Sequence, residues 1–90
     1  MRFDYLKLAE IIKAAREEKG LSLRDLGYKI GISHAELSRF ESGLKPNISY
    51  IVFIKMCREL NLNLYSLLYE VGLYDYKKQK NYQVLIVDKN

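Results

Sequence analysis

The sequence predicts an all-α domain of five short helices, and three observations carry that prediction. Apolar residues recur at helical spacing, as at Leu8, Ile11, Ile12 and Ala15. A residue able to cap a helix precedes each periodic run: Asp4, Ser22, Ser33, Ser49 and Asn63. Glycines or a proline turn close the runs, at Gly20, Gly31, Gly43 with Pro46, and Gly72. Ninety residues, 49% hydrophobic and 29% charged, describe a chain that folds, with one modest core and no room for two.

The first helix is expected from about Asp4 to Lys19, capped by Asp4 and stopped at Gly20. Two shorter helices follow at roughly 23–30 and 34–41, each announced by the same device. Ser22 stands three residues before Asp25, and Ser33 three before Glu36, so each serine can cap a helix whose third residue reaches back. Gly31 lies between them, where a helix ends in a left-handed residue that glycine adopts without steric cost. Two capped helices joined by a short glycine turn make a helix-turn-helix, which sets its second helix into a DNA groove.

The turn Lys45-Pro46-Asn47 then breaks the chain. A fourth helix is expected at about 49–60, capped by Ser49, with Tyr50, Phe53, Ile54, Cys57 and Leu60 on its inner face. Asn63 caps a fifth at about 64–71, which turns Leu64, Leu67, Leu68 and Val71 inward. None of the five is long enough to be stable alone, so they must share one core. The domain is therefore expected over 1–73, with 74–90 as a carboxy-terminal extension.

That extension opens as a charged connector, Tyr74-Asp75-Tyr76-Lys77-Lys78-Gln79-Lys80-Asn81, without periodicity. Tyr82-Gln83-Val84-Leu85-Ile86-Val87 is short and β-branched, which favours a strand. A lone strand has nothing to pair with in a helical domain. Three outcomes stay open: Tyr82, Val84, Leu85, Ile86 and Val87 pair with the same strand of a second copy, dock as an arm on a neighbour, or form a loosely packed tail.

Composition excludes several classes of function. The formal charge of +4 and pI near 9.2 permit a polyanion partner without requiring one, and the basic residues are spread so that folding must assemble any basic surface. Cys57 is the single cysteine, which rules out an internal disulfide or a cysteine metal cluster and agrees with a reducing cytoplasm. No apolar run reaches membrane-span length, and Met1-Arg2-Phe3-Asp4 lacks the apolar core of a signal peptide. A cytoplasmic location without membrane attachment is expected. Eight tyrosines and no tryptophan suit a small core with a wet edge, phosphate contacts and dimer interfaces. No nucleophile–base pair, paired carboxylate, metal cluster or phosphate loop can be assembled, so no enzyme, metal or cofactor is expected.

The segment from about Ile11 to Leu68 resembles the Cro/phage-repressor type, or XRE, helix-turn-helix family. The matching residues are Ile12 through Ser22, Leu26, Ile30-Gly31-Ile32-Ser33, Leu37-Ser38-Arg39-Phe40-Glu41-Ser42-Gly43, Pro46, and Leu60 through Leu68. The resemblance implies a five-helix lambda-repressor-like domain that binds double-stranded DNA. Two departures stand out. The family usually places a glutamine that clamps a DNA phosphate at the first position of its second helix, where this chain has Leu23. The loop after Gly43 is also about two residues longer than is usual for the family.

The recognition helix would begin after Ser33, with His34, Ala35, Glu36, Ser38 and Arg39 toward the groove. His34, Ala35 and Arg39 match family positions that reach base edges. Arg39 has the strongest chemistry, since its planar fork can bond both guanine O6 and N7. Ala35 leaves room for a thymine methyl, and Glu36 either accepts from cytosine N4 or serves the Ser33 cap. The plain alternative for Arg39 and His34 is a solvated surface side chain. Leu26, Ile30, Ile32, Leu37 and Phe40 are expected in the core, and the resemblance implies a partly buried salt bridge between Arg16 and Glu41. Phosphate contacts are expected from Ser22, Arg24, Tyr28, Lys29, Ser42, Lys45 and Asn47, with Lys77, Lys78 and Lys80 adding to them.

Two functional readings follow. One is a transcriptional regulator, a repressor by default, binding an operator as a homodimer with one recognition helix per half-site. The other is a protein-interaction module, such as an antitoxin paired with a toxin or an anti-regulator, which the missing clamp at Leu23 favours.

Overall fold

The computed structural model describes residues 3–44 and 47–73. Lys45, the lysines at 77, 78 and 80, and the expected strand at Tyr82–Val87 lie outside the described residues. Among those described, the chain forms five helices and no strand: α1 Tyr5–Glu18, α2 Leu23–Ile30, α3 His34–Glu41, α4 Tyr50–Glu59 and α5 Leu64–Glu70.

Each helix starts where its cap predicts. The Asp4, Ser22, Ser33, Ser49 and Asn63 side chains accept from the backbone N–H three residues on. Such a bond satisfies one of the orphan donors of a helix start and contributes about 1 kcal/mol. At α2 the box is complete: Asp25 N–H donates to Ser22 Oγ at 3.0 Å, and Ser22 N–H to Asp25 Oδ2 at 3.2 Å.

The helices close on one core of Leu8, Ile12, Leu26, Ile30, Leu37, Phe40, Met56, Cys57, Leu60, Leu67 and Val71. Ile32 packs on its edge, half-buried. α2 packs on both α3 and α4, while α1 packs on α3. The N-terminus is fastened to the far end of the domain, since Asp4 N–H donates to the Val71 carbonyl at 2.8 Å. Burial raises the Cys57 thiol above its ordinary pKa, which keeps it protonated and unreactive.

α4 corrects one expectation. Met56, Cys57 and Leu60 are buried and Val52 and Phe53 half-buried, but Tyr50 is 73% exposed and Ile54 46%. The helix is rotated from the expected face because Met56, absent from that face, fills the centre of the core. With Tyr50 through Ile54 all apolar, the first half of α4 carries too little periodic contrast to orient itself from sequence.

The turn between α2 and α3 depends on two glycines. Gly31 ends α2 in the left-handed conformation at φ 82°. Gly27, inside α2, lies beneath the turn: its carbonyl accepts from the N–H groups of Gly31 and Ile32 at 2.8 and 3.0 Å. A Cβ at Gly27 would sit 2.6 Å from the Ile32 carbonyl oxygen, a backbone atom that cannot swing away. Gly27→Val is therefore expected to lower unfolding free energy by about 1–3 kcal/mol, the range of overpacking, as read by urea denaturation. A stability within error of the parent chain would contradict this.

Candidate nucleic-acid interface

The helical period decides which side chains of α2 and α3 remain outside. With Leu26, Gly27 and Ile30 buried on α2, the residues left exposed are Arg24, Asp25, Tyr28 and Lys29. With Leu37 and Phe40 buried on α3, His34, Ala35 and Arg39 are exposed. Ala35 and Arg39, four apart, share one face of α3, and His34 opens its first turn.

The other expected base-contacting residues sit differently. Ser38 is half-buried, and its carbonyl accepts from the Ser42 hydroxyl at 2.8 Å. Glu36 is half-buried and lines a cleft of about 190 Å³ with Ile32, Phe40, Asn47 and Val52. Its N–H donates to Ser33 Oγ at 3.1 Å, so the serine arm of the α3 cap is formed.

The flanking residues divide in the same way. Arg24, Tyr28, Lys29 and Asn47 are exposed, and Tyr28 is 90% open to solvent. Ser22 Oγ accepts the α2 cap, and its side chain also bonds the Asp25 carboxylate. The Ser42 hydroxyl and N–H both donate to the Ser38 carbonyl, at 2.8 and 2.9 Å. A phosphate at Ser42 would have to displace one of those bonds. Leu23 is half-buried against the core, so the position that clamps phosphate in the family serves packing in this chain.

α1 holds the end of α3 at two points. The Arg16 guanidinium donates from Nε and Nη2 to the Glu41 carboxylate at 2.8 and 3.0 Å, and from Nη1 to the Leu21 carbonyl at 2.7 Å. Both side chains are nearly closed off, at 10% and 5% exposure. The bond to Glu41 raises the Arg16 pKa above its ordinary value. The Tyr5 hydroxyl donates to the Phe40 carbonyl at 2.6 Å, and its ring meets Phe40 edge-on at 5.5 Å. Sequence reasoning missed Tyr5 and Gly27. A tyrosine in an amphipathic helix reads as core with a wet edge, and only the fold brings Phe40 to it.

A family profile described as "Helix-turn-helix" matches residues 12–67, which takes in all of α2, α3 and α4. The chain belongs to the helix-turn-helix family. Its residues place it in the Cro/phage-repressor (XRE) type, a DNA-binding family. This helix-turn-helix chain is 33% identical over 72 residues to the HTH-type transcriptional regulator SinR of Bacillus licheniformis, an alignment covering 80% of the chain and 65% of that protein. The chain thus spans a little under two thirds of that relative's length. Two solved structures share the fold. The clp gene regulator ClgR of Corynebacterium glutamicum superposes with a TM-score of 0.64 at 25% identity, and a SinR–SinI protein complex with 0.63 at 28%. Each covers 90% of this chain and 80% of the other.

Two outcomes check the supporting geometry. Arg16→Met, which strands the Glu41 carboxylate in the interior, is expected to destabilise by about 3–5 kcal/mol in chemical denaturation. Arg16→Met with Glu41→Leu is expected to recover most of that loss, because removing both charges leaves nothing unpaired. The second outcome concerns Asp25, whose carboxyl is held below its ordinary 3.8 by the hydrogen bonds from the Ser22 backbone and side chain. A depressed carboxyl stabilises the fold above its unfolded pKa and loses that contribution as pH falls through the folded value. Asp25→Asn is therefore less stable than the parent chain at neutral pH, and thermal melts should converge on acidification below 3.8. A gap independent of pH would contradict the capping role.

Proposed function

We propose that this chain is a sequence-specific transcriptional regulator that represses by occluding an operator, which it binds as a homodimer. The observation that carries this reading is the exposed row of His34, Ala35 and Arg39 on α3, flanked by Arg24, Tyr28 and Lys29 on α2. α3 would lie in the major groove with Arg39 on a guanine and Ala35 against a thymine methyl. Arg24, Tyr28, Lys29, Ser22 and Asn47 would hold the backbone on either side, with Lys45 beside them. The relatives named as a transcriptional regulator and a clp gene regulator support the same reading. Dimer contacts through Tyr82, Val84, Leu85, Ile86 and Val87 would place two α3 helices about one helical turn of DNA apart. No helix among the described residues is long and apolar enough to cross a membrane, and we place the chain in the cytoplasm with its DNA.

A second reading, a protein-interaction module with a toxin or anti-repressor partner, is favoured by one observation. Leu23 packs on the core where the family anchors phosphate, which weakens the hold on DNA. A solved SinR–SinI complex shows that a similar fold takes a protein partner.

A mobility-shift experiment separates the two. Random duplex DNA should bind at low salt and release steeply as salt rises, because phosphate contacts release counterions. No binding at low salt would overturn the regulator reading. Against a selected operator, Arg39→Ala is expected to cost about 1–3 kcal/mol and to relax preference at one base pair. Lys29→Ala should instead weaken all sequences alike and reduce the salt slope by about 1.

A further inference from the structure

Arg39 can meet a base edge only if the last turn of α3 stays in place, and α3 is eight residues long. A helix that short is not held by its own bonds. Its final carbonyls are the acceptors that a helix end leaves to be satisfied from outside. Two of them are met by the chain that follows, Ser38 by Ser42 and Arg39 by the Leu44 N–H at 2.9 Å. The Phe40 carbonyl is different. It accepts from the Gly43 N–H at 3.1 Å and, at 2.6 Å, from the Tyr5 hydroxyl of α1. Arg16 reaches α3 through the flexible side chain of Glu41, whereas Tyr5 reaches the backbone itself.

Tyr5 is in turn fixed from the far end of the domain. Asp4, the residue before it, donates its N–H to the carbonyl of Val71, the cap residue that ends α5, at 2.8 Å. Two residues beyond Tyr5, the Lys7 ammonium pairs with Glu70 of α5 at 3.2 Å. The Tyr5 ring lies edge-on to Phe40 at 5.5 Å and tilted against Phe3 at 6.4 Å. Residues 4–7 therefore form a strap from the end of α5 to the end of α3, and the Tyr5 hydroxyl is its last link.

An arginine fork reads a base through two parallel bonds, which tolerate little misplacement. Contacts to phosphate position a protein on DNA without reading its sequence. We propose that Tyr5 is a positioning residue for base readout: its hydroxyl fixes the last turn of α3, and with it the place where Arg39 meets its base pair. This rests on the regulator reading. It gives a residue outside the exposed face a share of the sequence preference, and none of the affinity for DNA in general.

Tyr5→Phe tests this, since it removes the hydroxyl and keeps the ring on Phe40. Dissociation constants of the full chain are measured for three DNAs: a selected operator, the same operator changed at the base pair whose preference Arg39→Ala relaxes, and a random duplex. The preference at that base pair is expected to fall about tenfold, within the range that one such contact supplies. Random DNA should bind as it does to the parent chain, with the same salt slope. A role in stability alone would lower the folded fraction and weaken all three DNAs by one factor. Asn63→Ala, which removes the cap bond to the Ser66 N–H on α5, is the matched loss and should leave the preference intact. Preference retained in Tyr5→Phe, or lost equally in Asn63→Ala, would overturn the proposal.

Hydrogen exchange adds a readout without DNA. In Tyr5→Phe the Gly43 and Leu44 amides, which close the last turn of α3, should exchange about threefold faster or more, while the buried Ile30 amide keeps its rate. Unchanged rates at Gly43 and Leu44 would overturn the proposal even if DNA binding weakened. A parent chain that binds no DNA at low salt would sink the regulator reading and the readout role with it. Faster exchange would then leave Tyr5 as a hold on α3 alone.

Discussion

The rest of the structure depends on where the Arg16 guanidinium sits. One planar group joins three pieces of chain: α1 that carries it, the α1–α2 turn through the Leu21 carbonyl, and the last turn of α3 through Glu41. A lysine would supply the charge but not the fixed fork, and could not bond carboxylate and carbonyl in one plane. Such a buried pair adds little net stability, because desolvating both charges offsets most of their attraction. Its contribution is geometric. Glu41 lies two residues beyond Arg39, so fixing the carboxylate fixes the height at which α3 presents its exposed face. Tyr5 adds a second hold one residue earlier, at the Phe40 carbonyl. α1 thus sets the position of α3.

The other end of α3 is set by its turn with α2. Gly27 lets the Ile32 carbonyl settle directly onto α2, and Gly31 reverses the chain within one residue. The caps at Ser22 and Ser33 then fix where each helix begins, and therefore which residues occupy its outer face. With both ends of α3 held, the exposures of His34, Ala35 and Arg39 follow from 3.6 residues per turn. That exposed face is a consequence of the packing rather than an addition to it.

This explains what was legible in the sequence. Helix boundaries were, because each begins at a side-chain oxygen whose bonding is local, and α2 and α3 fall where Ser22 and Ser33 put them. Arg16 with Glu41 was implied by the family resemblance, 25 residues apart, and not by any local pattern. The orientation of α4 was not legible, since Tyr50, Ile51, Val52, Phe53 and Ile54 are all apolar and only Met56 in the core decides among them. Nor was the condition of Ser42. A serine after a recognition helix reads as a phosphate donor, yet its proton is already spent on the Ser38 carbonyl, a bond visible only once α3 is seen to end there.

The exposed face therefore divides its tasks unevenly. The N-terminal end of α2 ordinarily offers free N–H groups and positive dipole to a phosphate. Here the Asp25 carboxylate already accepts from the Ser22 N–H, and Leu23 is turned into the core. Negative charge at that point repels an approaching phosphate, and the exposed long side chains of α2 lie further along, at Arg24, Tyr28 and Lys29. A protein anchored in this way binds DNA with marked salt sensitivity and a loose register until base contacts form. On the proposed regulator reading, more of the discrimination would come from Arg39 and its neighbours, and more of the affinity from joining two copies. A weakened anchor in each domain is compensated when two domains are linked, since the second half-site is engaged at high effective concentration without any new contact to DNA.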